Sequence, residues 1–388
     1  MSTAALRDRE AGHAPEPVAF IDLKAQQAAI RDRIEARIKA VLDHGQYING
    51  PEIAELEEAL KAYSGAADAV AVASGTDALV IALMAEGVGA GDAVFVPGFT
   101  YNATANAVLM TGAEPVFVDV DRRTFNMCPD DLAAKAEAVA AEGRVRPRAV
   151  IAVDLFGLPA HYPAISTVAE RHGMPVMADA AQSFGGARGN ARVGTLAPVT
   201  ATSFFPAKTL GCYGDGGAIF ATDPARGELW RSIRWHGTDD ARRDSVRVGM
   251  NGRMDSIQAA VLLEKLEIYD GELARRREIA ARYDAALADV LDLPARPKDV
   301  APSWGLYSVT VPERDRLRSG LQERGIPAAI YYQTPLHLMP AFADYAPAGG
   351  LPACEALAAE ILSLPMHPYL SDDQVDRVCE AVREELGA

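Results

Sequence analysis

The sequence predicts an α/β protein. A large domain would hold a mainly parallel seven-stranded sheet covered by helices, and a smaller C-terminal α+β domain would follow. Three observations carry this. Between residues 68 and 222 short, almost wholly apolar runs alternate with helical segments, the pattern of strands buried on both faces. After a long helical stretch at 254–290, the segment PARPKD (294–299) breaks the chain and a different rhythm begins. The chain has 388 residues, 49% of them hydrophobic, enough for a large core and about two domains. The domains are expected at 18–270 and 271–388, behind a flexible tail at 1–17.

In chain order, Ile30, Ile34, Ile38 and Val41 recur at near-helical spacing within 18–42. The segment HGQYINGPE (44–52) interrupts them, and Pro51 suits the first turn of a helix at 51–63. Seven strands are then expected at 68–74, 92–98, 115–121, 148–157, 175–181, 200–205 and 216–222. Helices at 75–87, 100–112, 129–141 and 163–172 connect the first five. Beyond the linker, strands at 304–311 and 327–332 surround a helix at 313–324, and helices at 352–362 and 371–387 close the chain.

Composition narrows the function. A net charge of −15 makes nonspecific nucleic-acid binding a poor fit, although a local site for a small anion is compatible with it. No apolar run reaches the roughly 18–20 residues a membrane helix needs. The polar start, MSTAALRDREAGHAPEP, has no secretory h-region. Cys128, Cys212, Cys354 and Cys379 lie far apart with no paired spacing, which fits reduced thiols in a cytoplasm and no zinc site. His13 falls in the tail, and His161 and His172 read as loop and helix-surface residues.

Ligands of a parallel sheet bind beyond the carboxyl ends of its strands, and the chemistry-bearing residues of this chain sit at those ends. Gly75 and Thr76 open a helix directly after a strand, where free N–H groups and the helix dipole favour a phosphate. Asp179 ends an apolar strand, and a carboxylate buried there needs a cationic or hydrogen-bonding partner. Gln182 lies three residues on. Lys208 follows the strand 200–205 and precedes Gly211, Gly214, Gly216 and Gly217. A phosphate-type helix start, a strand-end aspartate and a strand-end lysine in one parallel sheet match the needs of pyridoxal 5'-phosphate. Lys208 would be the Schiff-base lysine, Asp179 the partner of the pyridine nitrogen and Ser203 a phosphate ligand. GVGAGDA (87–93) follows a helix and is a weak dinucleotide fingerprint, and no GxxxxGK[ST], HExxH or GxSxG occurs.

SGTDAL (74–79), PGFTYNATANAV (97–108), GAEPVFVDVD (112–121), DAAQSFGG (179–186), TSFFPAKTLGCYGDGGA (202–218) and GMNGRMDSIQAAVL (249–262) together resemble the DegT/StrS nucleotide-sugar aminotransferases. The resemblance runs from about residue 18 through SLPMHPYLSDDQ (363–374). It implies a type I pyridoxal phosphate fold like that of aspartate aminotransferase, with Gln182 on the cofactor's phenolic oxygen and Tyr101 stacked on its ring. It further implies a homodimer in which Asn251 reaches the phosphate of the partner's site. L-glutamate would be the amino donor, leaving as 2-oxoglutarate, and a nucleotide keto-sugar the acceptor. Arg253, Tyr331, Tyr332, His337 and the 44–51 loop would be sugar contacts. The nearest subgroup aminates 3-keto UDP-N-acetyl sugars, including uronic acids, for surface polysaccharide or lipopolysaccharide. Where its uronate enzymes tend to have His-Tyr-Pro, this chain has Tyr331-Tyr332-Gln333, a neutral tyrosine in place of an ionisable histidine. A 3-keto sugar with or without a carboxylate and a 4-keto sugar therefore stay open, as does a non-catalytic regulator of the same fold.

Overall fold

The computed structural model describes residues 17–388, so the expected tail lies outside the described residues except for Pro17. Two helices come first, α1 (Leu23–His44) and α2 (Pro51–Ser64). Asp22 caps α1, its Oδ1 accepting the Ala25 N–H at 2.9 Å, and Pro51 takes the first turn of α2. The alternating region follows as β1 (Asp68–Val72), α3 (Gly75–Ala85), β2 (Asp92–Pro97), α4 (Ala103–Met110), β3 (Glu114–Val118), α5 (Pro129–Glu142), β4 (Arg146–Val153), α6 (Tyr162–Arg171) and β5 (Val176–Asp179). A small hairpin, β6 (Ala187–Arg188) and β7 (Ala191–Arg192), precedes β8 (Val199–Ser203) and β9 (Gly217–Ala221). Then come α7 (Ala225–Ile233) and the long α8 (Ser256–Leu287).

The main sheet has seven strands in the order β1-β9-β8-β5-β4-β2-β3. All neighbours are parallel except the two pairings of β9, which runs against both β1 and β8. The reason is the connection. No helix crosses between β8 and β9, so the chain returns beside the strand it has just left, with Ser203 opposite Gly217. Lys208 thus sits on a wide hairpin loop, 204–216, anchored at both ends in the sheet. Phe95, Phe117, Phe204 and Phe220 are essentially inaccessible to solvent in and around this sheet, each stabilising it by roughly 1.5–3 kcal/mol.

The smaller lobe is built from β10 (Val300–Ala301), β11 (Tyr307–Thr310), α9 (Arg314–Glu323), α10 (Pro352–Glu360), β12 (Ile361–Leu364) and α11 (Asp372–Leu386). Its core packs on the second half of α8 through Ile279, Ala280, Tyr283 and Leu287, and it includes Val18 from the N-terminal segment. The first half of α8 instead buries Ala259, Leu262 and Leu263 with Phe204 and Phe220 of the large sheet region.

Three local expectations change. Residues 225–233, outside every expected element, form a helix. The helix expected over 352–362 stops at Glu360, and Ile361–Leu364 pairs antiparallel with β11. Its apolar run continues the helical pattern, and only the Ser363–Ser308 hydroxyl pair, 2.8 Å apart, marks a strand face. The expected strand 327–332 makes a single bridge, Ala329 to Ser363, and Ile330–Tyr332 line a cavity instead. No helix among the described residues is long and apolar enough to cross a membrane.

Candidate active site

The carboxyl ends of the parallel strands face one edge of the sheet, and a cavity of about 670 Å³ lies there. Its floor begins where β1 meets α3. Ser74 caps the helix, its Oγ accepting the Asp77 N–H at 3.0 Å, and the first N–H groups of α3 have no helical acceptor. Gly75 is required by space. A Cβ there would lie 2.7 Å from the Cβ of Ser203, and one on Gly217 would lie 2.5 Å from the Ser74 carbonyl oxygen. The ends of β1 and β8 and the start of β9 therefore touch backbone to backbone. This brings the α3 N-terminus, Thr76 and the Ser203 hydroxyl together as an anion cradle.

Asp179, at the end of β5, is 7% exposed. Thr104 Oγ1 donates to its Oδ2 at 2.8 Å and the Ala181 N–H to its Oδ1 at 3.3 Å. Burial raises its pKa above the ordinary carboxylate value, and those donors with the Lys208 charge oppose the rise. Burial likewise lowers the pKa of Lys208, against the pull of Asp179. Both shifts favour the neutral forms, so desolvation outweighs the mutual attraction of the pair. Behind Asp179 lies a second buried carboxyl, Asp154, accepting from Tyr162 Oη at 2.5 Å, Ser183 Oγ at 2.7 Å and the Ala160 N–H at 2.8 Å. Burial pushes it up to about 6 despite these donors.

The opposite wall is aromatic. Gln182 Nε2 donates to the Tyr332 hydroxyl at 3.0 Å, while its Oε1 accepts the Phe156 N–H at 2.7 Å. Tyr101 stands at the mouth, 57% exposed, its ring centroid 6.2 Å from that of Tyr332. Tyr331 packs beside Phe20, and Ile21 of the N-terminal segment joins the lining. Gly75, Thr76, Tyr101, Asp179, Gln182, Ser203, Lys208, Tyr331 and Tyr332 thus line one cavity.

Three residues of the expected set lie elsewhere. Asn251 is exposed and accepts from Arg253 Nε at 2.9 Å, and the Arg253 guanidinium lies 4.5 Å from the centre of the Trp235 ring. Neither belongs to the lining of their own chain's cavity. His337 is 2% exposed, and its Nε2 is paired with Glu355 Oε1 at 3.0 Å, outside the lining. Its Nδ1 would lie 3.6 Å from a Cβ placed on Gly98. The 44–51 loop is pinned to the start of α8, the Tyr47 carbonyl accepting the Ser256 N–H at 2.8 Å. Thr104 and Asp154 were not singled out from sequence. A threonine in the first turn of a helix has no distinguishing signal, whereas Asp154 ends an apolar strand just as Asp179 does.

The donor set fits a molecule with an anion at one end, a basic ring nitrogen at the other and a carbonyl between them. The α3 N-terminus and Ser203 suit the anion, the buried Asp179 carboxylate the protonated nitrogen, and the Lys208 amine the carbonyl. Pyridoxal phosphate has these three features.

Comparison with known proteins agrees. The sequence matches the DegT/DnrJ/EryC1/StrS aminotransferase family over residues 28–383. It is 45% identical to a UDP-2-acetamido-2-deoxy-3-oxo-D-glucuronate aminotransferase of Pseudomonas aeruginosa, covering 94% of this chain and 99% of that one. It is 41% identical to a dTDP-3-amino-3,4,6-trideoxy-alpha-D-glucose transaminase of Streptomyces venezuelae, over 95% and 96% of the two chains. The fold is similar to the crystal structure of a DegT/DnrJ/EryC1/StrS aminotransferase from Brucella abortus, with a TM-score of 0.94 at 50% identity over 95% of this chain and 100% of that one. More distant solved relatives, 26% and 27% identical, are a pyridoxal phosphate form and a pyridoxamine phosphate complex. With the lysine, the buried aspartate and the phosphate cradle in one cavity, the chain belongs to the DegT/DnrJ/EryC1/StrS aminotransferase family and is a pyridoxal phosphate-dependent aminotransferase.

Proposed function

We propose that this enzyme transfers the amino group of L-glutamate to the keto carbon of a nucleotide-linked sugar, a 3-keto UDP-N-acetylhexosamine or its uronic acid. The observation that carries the reading is that Lys208 and the buried Asp179 face one cavity whose outer wall is Tyr101, Tyr331 and Tyr332. The similarity to the Pseudomonas aeruginosa enzyme supports the 3-keto UDP sugar.

When bound, pyridoxal phosphate supplies the carbonyl that carries the amino group and the ring that withdraws electrons. Asp179 would hold the protonated ring nitrogen, and Thr104, donating to its Oδ2, would keep the carboxylate in place. Lys208, held toward its neutral form by burial, takes the α-proton of glutamate and later returns a proton to the sugar carbon. Tyr331 and Tyr332 orient the sugar. Asn251 of the partner subunit closes the phosphate site of a cytoplasmic homodimer, with Arg253 of the partner subunit against the sugar nucleotide. The product serves surface polysaccharide or lipopolysaccharide synthesis.

The test is release of 2-oxoglutarate from glutamate with a panel of UDP- and dTDP-linked 3-keto and 4-keto sugars. Turnover is expected with 3-keto UDP-N-acetyl sugars. A protein whose visible absorption band responds to glutamate, but which releases no more than one equivalent of 2-oxoglutarate per site whatever sugar is added, would be a regulator of the same fold.

A further inference from the structure

Loop 204–216 carries Lys208, and one stripe of α8 holds that loop at three points. The Tyr213 N–H donates to Gln258 Oε1 at 2.9 Å. The Gly211 carbonyl accepts from Lys265 Nζ at 2.6 Å. The Thr209 and Tyr269 hydroxyls share a hydrogen bond of 2.8 Å, and Tyr269 Oη also donates to the Phe184 carbonyl at 2.5 Å. At 3.6 residues per turn, positions 258, 265 and 269 fall within an arc of about 40° on the helix.

Lys265 is the unusual member. It is 1% exposed, and its ammonium lies 4.4 Å from the centre of the Tyr213 ring. Glu272 on its own helix and Cys212 and Tyr213 on the loop are the titratable groups that face it, and burial lowers its pKa to about 8. Burying an ammonium is costly unless its bonds compensate, and a methionine would fill the same space without that cost. The transamination chemistry has no use for it. The force it exerts has a short route to Lys208. A Cβ on Gly211 would lie 2.6 Å from the carbonyl oxygens of both Phe205 and Pro206, so those peptides are in contact. The Phe205 carbonyl in turn accepts the Lys208 N–H at 2.8 Å. The same stripe runs on to the smaller lobe, where Arg276 donates to the carbonyls of Trp304 at 2.9 Å and Met366 at 3.0 Å.

We propose that Lys265 is a positioning residue for Lys208: by fixing the Gly211 carbonyl, with Gln258 and Tyr269 pinning the loop on either side, it sets the depth of the Lys208 amine beside Asp179. This rests on the bond between Lys208 and pyridoxal phosphate and is independent of which sugar is aminated.

The test uses the pyridoxal phosphate-loaded enzyme, with neither glutamate nor sugar. In Lys265→Met a looser loop admits water to Lys208, which shares its cavity with the carboxyls of Asp179 and Asp215 and the phenols of Tyr101, Tyr331 and Tyr332, Asp179 being the one whose charge acts on it. In the loaded enzyme the Lys208 nitrogen is the Schiff-base nitrogen, and water reaching it stabilises its protonated form, so the pH midpoint of the visible band is expected to rise by about half a unit or more, and the cofactor Kd to rise about tenfold. Tyr269→Phe should move both in the same direction by less, and Lys265→Arg should restore most of the effect. Glu267→Ala, on the exposed face of α8, should change neither. Circular dichroism and thermal midpoints separate folded from unfolded variants. Wild-type midpoint and Kd in folded Lys265→Met overturn the proposal. If Lys265→Met does not fold, wild-type values in Tyr269→Phe overturn it. Wild-type protein with no visible band after reconstitution would count against the cofactor reading instead.

Discussion

Gln182 and Tyr332 join the two lobes across the cavity, the Gln182 amide donating to the Tyr332 hydroxyl at 3.0 Å. The amide has only one orientation available, because its oxygen is taken by the Phe156 N–H at 2.7 Å. Its NH₂ must then face Tyr332, whose own proton is free to point at a ligand. Burial and the nearby Asp179 raise the Tyr332 pKa, so the phenol remains a donor throughout the working pH range. Tyr332→Phe removes that donor and leaves the Gln182 NH₂ without its partner. We expect kcat/KM for the keto-sugar to fall about tenfold, the cost of one unsatisfied buried group, with cofactor content unchanged. Steady-state kinetics beside a cofactor assay checks this.

Asp179 and Lys208 both carry shifts that oppose their charges, and each gives a separate outcome. Lys208→Met should lose the visible band and about 10²–10⁴-fold or more in turnover, the usual worth of a positioned proton carrier. Its thermal midpoint without cofactor should hold or rise, since a buried amine is removed. Thr104→Val takes away a donor that favours ionised Asp179. The Asp179 pKa then rises further, the ionised form appears only at higher pH, and the acidic limb of the activity profile moves upward by about half to one unit. An unmoved acidic limb in Thr104→Val would show that Asp179 does not set it.

Much of this site is legible in the sequence because strand ends punctuate it. Lys208, Asp179 and Gly75 each follow an apolar run that breaks abruptly, and parallel topology brings such breaks to one edge. What is not legible has physical reasons. The reversal of β9 leaves no mark, since Gly217–Ala221 is buried throughout whichever way it runs. Thr104 reaches Asp179 from 75 positions away, and nothing local distinguishes it from any other helix-start threonine. His337 joins the expected sugar contacts through the family resemblance, whereas its partner Glu355 and its burial depend on how α10 packs.

Two glycines give opposite outcomes on the same substitution. Gly75→Ala would place its methyl 2.7 Å from the Ser203 Cβ and 3.2 Å from its Cα, so the helix start or the strand must shift. The cost is about 1–3 kcal/mol, and because the shift widens the phosphate cradle, pyridoxal phosphate affinity should drop at least about tenfold. Gly271 lies inside α8 with nothing within 4 Å of where a Cβ would stand. Gly271→Ala should raise stability by about 0.5–1 kcal/mol through helix propensity, with affinity unchanged. Denaturant unfolding and a cofactor titration of the two variants distinguish them.

Asp154 gives a pH signature of its own. Its pKa is pushed from an ordinary 3.8 up to about 6 in the folded chain. The folded state therefore holds a proton between those values that the unfolded state has released. Its contribution to stability is present below about pH 4 and is lost as pH rises through about 6, a difference of roughly 3 kcal/mol. Asp154→Asn removes the titration while keeping the contacts. The amide oxygen can accept from Tyr162 and Ala160, and the Ser183 hydroxyl can turn to accept from the new NH₂. Urea unfolding of cofactor-free protein across pH 4–8 should show the variant gaining on wild type as pH rises through that window. At pH 7 or above the gain should level off. A difference that stays constant with pH would mean that Asp154 is ionised in the folded chain even at pH 4, with its three donors outweighing burial.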